Sequence, residues 1–184
     1  MHQSLILFFK NLPEFHQLDL TDQMLLVKCN LVDVIHLHHI VVQNFQEVPQ
    51  IGALMSRWVG ADFHQSMSRT RARFDCFVNC PLVIKLTMIV LIFSVNLSIP
   101  RGTDRYVEYR DKQQIYRHQN FFVALLWKYL NHVLDEKQAI RSVQLIVTQI
   151  LRYQTLMNTM GDIISRQVEE DSLNPLMQSV LQMT

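Results

Sequence analysis

Apolar residues recur at helical spacing along most of the chain. Leu5 to Leu12 forms one short helical segment, closed near Pro13. Asp19-Leu20-Thr21-Asp22 has the form of a variant capping box: Asp19 can accept a bond from a first-turn amide, and Asp22 can reach back. Leu20 to Phe45 then reads as nearly continuous helix. Gln46 to Ser66 is mixed, punctuated by Val48-Pro49-Gln50 and Gly60, and Trp58 to Phe63 could hold a short hairpin or turn. Met67 to Asn79 reads as a weak, Arg-rich helix. Pro81 falls in the first turn of the next helix, which is expected to end near Asn96. Pro100-Arg101-Gly102-Thr103 is the clearest loop. Asp104 to Val133 and Lys137 to Val168 read as two long helices, and Pro175 opens a last amphipathic one, Leu176 to Met183. The pattern predicts one all-α domain over residues 1–184, with no repeat and no low-complexity tract.

The run Leu82 to Ile99 is apolar on every helical face, but Lys85 interrupts it, and the remainder is too short to span a bilayer. It is expected to be a central helix buried by its neighbours, touched by the helices around Leu31 to Phe45 and Ile140 to Ile164. Leu5 to Phe9 is too short for a signal-peptide core. Of the 184 residues 49% are hydrophobic and 18% charged, so disorder is excluded. Four Gly and five Pro are too few for a turn-rich all-β fold. Lys and Arg number 17 against 16 acids, a net +1, which leaves no basic excess for phosphate backbones and so no nucleic-acid binding through this segment. Three cysteines without a C-x-x-C argue for a reduced, intracellular setting.

No phosphate loop, nucleophile elbow or H-E-x-x-H helix is present, so the expectation is a protein that is not an enzyme. His36 and His39 share a helix face, with His38 pointing elsewhere; two imidazoles without a third ligand make a poor zinc site, and no metal or other cofactor is expected. Cys76 and Cys80, four residues apart, read as buried apolar residues. Met and Phe are abundant enough to line an adaptable cavity, so a small lipophilic ligand is permitted.

The segment Phe8 to Lys28 carries a longer signature: Phe8, Lys10, Pro13, Phe15, Leu18, Asp22, Gln23, Leu25 and Leu26 stand in fixed register. It resembles the signature of nuclear receptor ligand-binding domains, with Phe9 in place of the usual Ala. Leu31 to Phe45 resembles that family's helix 5, and Ile92-Phe93-Ser94 the end of its helix 8. Gln119, Phe122, Leu126, Tyr129 and Leu130 match the spacing of its helix 9, and Leu151-Arg152 a pair usual in its helices 10 and 11. Pro175 to Leu181 resembles its activation helix. The resemblance implies a three-layer antiparallel helical sandwich lacking helix 1 and the first half of helix 3, with no DNA-binding domain in this chain. It further implies a cavity between the Leu31 to Phe45 and Leu156 to Ile164 regions, open where those helices are missing.

It also implies a function: ligand-regulated control of transcription in the nucleus through a coregulator groove and a dimer face. Lys10 resembles the lysine that holds the C-terminal carbonyls of an L-x-x-L-L helix, and Lys28 a second cation at the groove edge. Ile6, Leu20, Gln23 and Met24 would line the floor, and Leu176, Met177 and Val180 the closing side. Ser179 stands where the activation helix usually carries Glu, and so lacks the charge that caps the partner's N-terminus. Asp33 with Arg101 or Arg105 resembles the acid–Arg pair of receptors that dimerise with the retinoid X receptor. Two rivals accompany this reading. One is a degenerate, ligand-independent or repressive dimer partner with impaired coactivator recruitment. The other is an unrelated helical enzyme.

Overall fold

The structure is a computed structural model that describes residues 2–43, 61–77, 79–95 and 108–170. The described residues are helical, with no strand among them: α1 (His2–Lys10), α2 (Pro13–His16), α3 (Leu20–Gln43), α4 (Ala61–Ala72), a 3-10 turn (Asp75–Phe77), α5 (Pro81–Ile92), α6 (Lys112–Val133) and α7 (Glu136–Glu170). None of these helices is long and apolar enough to cross a membrane. The loop Pro100 to Thr103 and the helix from Leu176 to Met183 lie outside the described residues.

α5 lies between α3 and α6, its two broadest neighbours. Its second broad neighbour is α6, and the Ile140 to Ile164 helix that the apolar run was expected to meet contributes Ile146 and Ile150 to the same core. Leu86, Ile89, Leu91 and Phe93 are all buried, while Leu82 and Lys85 at the helix start face water. Each fully buried large apolar side chain contributes roughly 1.5–3 kcal/mol, so α5 supplies a large share of the core. A file of aromatic rings crosses this core. Phe9 and Phe15 meet at 6.3 Å, Phe15 and Phe93 at 6.0 Å, and Phe93 stacks on Phe122 at 5.7 Å.

Two polar side chains end α5 earlier than Asn96. Asn30 Nδ2 of α3 donates to the carbonyls of Ile92 (3.1 Å) and Ser94 (2.8 Å). Gln119 Nε2 of α6 donates to Ser94 Oγ at 2.8 Å. Asn30 thereby satisfies carbonyls that helix termination leaves without helical partners, while the Ser94 hydroxyl that Gln119 meets itself donates to Val90 O at 3.0 Å.

The capping box at the start of α3 is only half as expected. Asp19 accepts from the Thr21 amide at 2.8 Å, and that bond, with Arg110 adding charge, holds its carboxyl below the usual range. Asp22 does not reach back. It is fully buried and accepts from the amides of Arg110 (2.8 Å) and Asp111 (3.0 Å). Arg110 Nη1 also reaches Asp19 Oδ2 at 3.0 Å. This clamp shortens α6 relative to the expected Asp104 to Val133 helix. With the amides of Arg110 and Asp111 given to Asp22, the helix starts at Lys112, and Asp111 caps it by accepting from Gln114 N at 2.8 Å.

The Arg-rich segment also differs. Helix α4 covers 61–72, so Ala61 to Phe63 are helical and form no hairpin or turn, and Asp75 to Phe77 form a separate 3-10 turn. Phe63 and Met67, at i and i+4, share one face and pack on Tyr153, Val32, Leu156, Met157 and Met160. That contact extends the helix backwards despite its weak local pattern. The tighter turn lets Phe74 and Phe77 enter the main core together. Cys76 lies on its outer side and is exposed, contrary to the buried position expected; Cys80 is half-buried and Cys29 buried, all as free thiols.

Candidate functional site

The face of α3 that begins at Leu20 does not follow the burial rule. Leu20 is 68% exposed and Met24, one turn on, 65% exposed, while Lys28, one turn further, is an exposed cation. Gln23 beside them is half-buried, its amide held by donation to Leu18 O at 2.9 Å. α1 packs against α3. Its Leu5 and Phe9 enter the core, Ile6 is half-buried, and Leu7 is 58% exposed. Lys10 ends α1 and is exposed. The two contacting helices thus present large apolar side chains to water, with a lysine on each. Leu7 is the member that the signature does not single out; its signal is only its place opposite the buried Leu5–Phe9 face. Leu176, Met177, Ser179 and Val180 lie outside the described residues.

Asp33 has a different surrounding from the one its resemblance implies. It is 3% exposed and accepts from Gln154 Nε2 of α7 at 3.2 Å. Arg101, its suggested partner, lies outside the described residues. Next to Asp33, Tyr153 donates its hydroxyl to Val32 O at 3.4 Å. Burial, with the Asp33 carboxylate adding to it, pushes that phenol above its ordinary range, so it stays protonated. His36 stacks on the Tyr153 ring at 3.8 Å. His38 is half-buried, and His39 is helical. Among the described residues no group of three or more His, Cys, Asp or Glu side chains is placed to hold a metal ion.

The Leu156 side of the expected cavity is occupied by protein: Phe63 and Met67 of α4 pack there on Tyr153 and Leu156. A second set of exposed apolar side chains runs along α7, where Ile140, Val147 and Leu151 face water, and along α6, where Phe121 and Trp127 do. No protein-family model, no curated protein and no solved structure matches the chain.

Proposed function

We propose that the chain is a regulatory binding module of the nuclear receptor ligand-binding type, with its helices in that family's three-layer antiparallel sandwich, acting in the nucleus on transcription. Its α1/α3 surface receives an amphipathic L-x-x-L-L helix of a coregulator. The exposure of Leu20 and Met24 on α3, and of Leu7 on the contacting α1, carries this reading. Burying such side chains under a partner releases apolar surface from water, and helix-in-groove recognition uses residues spaced by one turn. Lys10 supplies the charge that the negative C-terminal end of a docked helix attracts. The outward apolar side chains of α6 and α7 serve as the face for a retinoid X receptor-like partner.

Of the two modes, ligand-responsive and ligand-independent, the packing of Phe63 and Met67 on Leu156 favours the second, because protein side chains occupy space that a lipophilic ligand needs. Ser179 points the same way, since a hydroxyl lacks the charge of the usual Glu.

Fluorescence anisotropy with a labelled L-x-x-L-L peptide tests the groove. Weak, saturable binding is expected for the native chain. Ser179→Glu strengthens it roughly tenfold, about 1.4 kcal/mol, and Lys10→Ala abolishes what remains. Binding of equal strength in the native chain, Ser179→Glu and Lys10→Ala refutes the groove.

A further inference from the structure

Between α7 and the turn after α4 lies an open-sided pocket of about 380 Å³, away from the α1/α3 groove. Arg141, Thr148 and Arg152 line it from α7, and Arg73 from the turn. The first three recur at i, i+7 and i+11, the spacing of one helix face. All three arginines are exposed, and none has a side-chain hydrogen bond or ion pair among the described residues. No carboxylate lines the pocket, and Leu145 is its one aliphatic residue. Three arginines therefore line one pocket with no acidic side chain among its described lining residues, in a chain whose net charge is only +1.

The geometry selects among anions. Arg141 and Arg152 are separated by about 16 Å of helix rise, so a ligand carrying several anionic groups meets both with less stretching of the side chains than a single phosphate does. Arg forks suit phosphate oxygens in pairs. The volume falls in the lower part of the roughly 300–1,000 Å³ of small-molecule sites. No aromatic ring lines the pocket, so a nucleobase finds no stacking surface. Gln149 supplies a further constraint. It lines the same pocket, is 2% exposed, and its Oε1 meets no donor among the described residues. A buried acceptor without a donor is costly. The terminal torsion of Gln149 is soft, and a hydroxyl of a ligand in this pocket would supply the missing donor.

We infer that this pocket binds a phosphorylated polyol, with the arginines on its phosphates and Gln149 on a free hydroxyl. Both a soluble inositol or sugar phosphate and a phosphoinositide headgroup present that chemistry.

Isothermal titration calorimetry of the full chain with inositol trisphosphate, which keeps free hydroxyls, provides the test. Tripolyphosphate, which has charge but no hydroxyl, is the comparison. Saturable binding of the trisphosphate is expected, at least tenfold tighter than tripolyphosphate. Arg152→Gln should weaken it at least tenfold, and Arg117→Gln, on the exposed side of α6 and outside the pocket, should not. Gln149→Leu should narrow the preference over tripolyphosphate. Sedimentation with phosphatidylcholine vesicles, with and without phosphatidylinositol bisphosphate, separates the two sources. Headgroup-dependent pelleting that soluble trisphosphate reverses identifies the lipid, and binding in solution alone identifies the free polyol. Absence of saturable binding overturns the inference. So does equal affinity for tripolyphosphate, equal weakening by Arg117→Gln, or binding of a polyglutamate peptide in place of the trisphosphate.

Discussion

Helix α5 and the outer face of the α1/α3 pair are both rich in large aliphatic side chains, yet the chain treats them oppositely. Leu86, Ile89, Leu91 and Phe93 are buried between α3 and α6. Leu7, Leu20 and Met24 stand in water. The C-terminal end of α5 is also tied down, by Asn30 on two backbone carbonyls and by Gln119 on the Ser94 hydroxyl. Around Leu20 the tie is at the helix start, where Asp19 and Asp22 hold the segment before α6 and leave the apolar face open. The difference separates two uses of the same residue types. In α5 they stabilise the fold, whereas on α1 and α3 they are left out of the core.

The largest break in this comparison is a charge placed in α5. Leu91→Asp buries an unpaired carboxylate and should cost about 4 kcal/mol or more, read as a fall in the urea midpoint or failure to fold. A midpoint within error of the native one would show that α5 is not the centre of the core. Next comes the clamp. Asp22→Ala removes a carboxylate that two amides use and leaves both without an acceptor, so a loss of about 3 kcal/mol is expected. Hydrogen exchange should show it first in the opening turn of α6. Unchanged exchange there would mean the clamp does not set where α6 begins.

His118 gives a smaller, pH-dependent effect. Burial lowers its pKa below the ordinary 6.5, with Arg117 adding to the shift and Glu14 opposing it. Its ring lies against Phe93 at 5.7 Å. The unfolded chain therefore takes up a proton near pH 6.5 that the folded chain resists. Stability should be full above that pH and fall as pH drops through the lowered folded value. Denaturation at pH 7.5 and pH 5 should show the loss, and His118→Gln should reduce it; an equal loss in both proteins would assign it to other groups. Smallest in stability is Met24→Ala, expected to change it by no more than about 0.5 kcal/mol because the side chain is already exposed. A larger loss would mean that Met24 belongs to the core after all.

The all-α class and the central position of α5 were legible because hydrophobic period and length both speak locally. So was Pro81, whose missing amide fits a first helical turn. What was not legible lies in long-range pairing. Asp22 looks like half of a capping box because local spacing allows it, while its true partners are amides almost ninety positions away. Asp33 looks like half of an acid–Arg pair until Gln154 of α7 is found beside it. Helix α4 begins earlier than its own pattern suggests because Phe63 finds Tyr153 and Leu156. Cys76 was misplaced because the helix expected over Met67 to Asn79 stops at Ala72, which changes the face on which the thiol sits. In the candidate groove, the signature drew attention to Lys10, Leu20 and Met24. It gave no sign of Leu7, whose exposure follows only from the docking of Leu5 and Phe9.

Chemical-shift mapping tests the central claim, that the α1/α3 face is the docking surface. The isotopically labelled chain is titrated with an unlabelled L-x-x-L-L peptide. Resonances of Leu7, Lys10, Leu20 and Met24 should shift together and saturate, while those of Leu86 to Phe93 and of Val147 and Leu151 stay in place. Shifts confined to α6 and α7, with the α1/α3 face unmoved, would contradict the account.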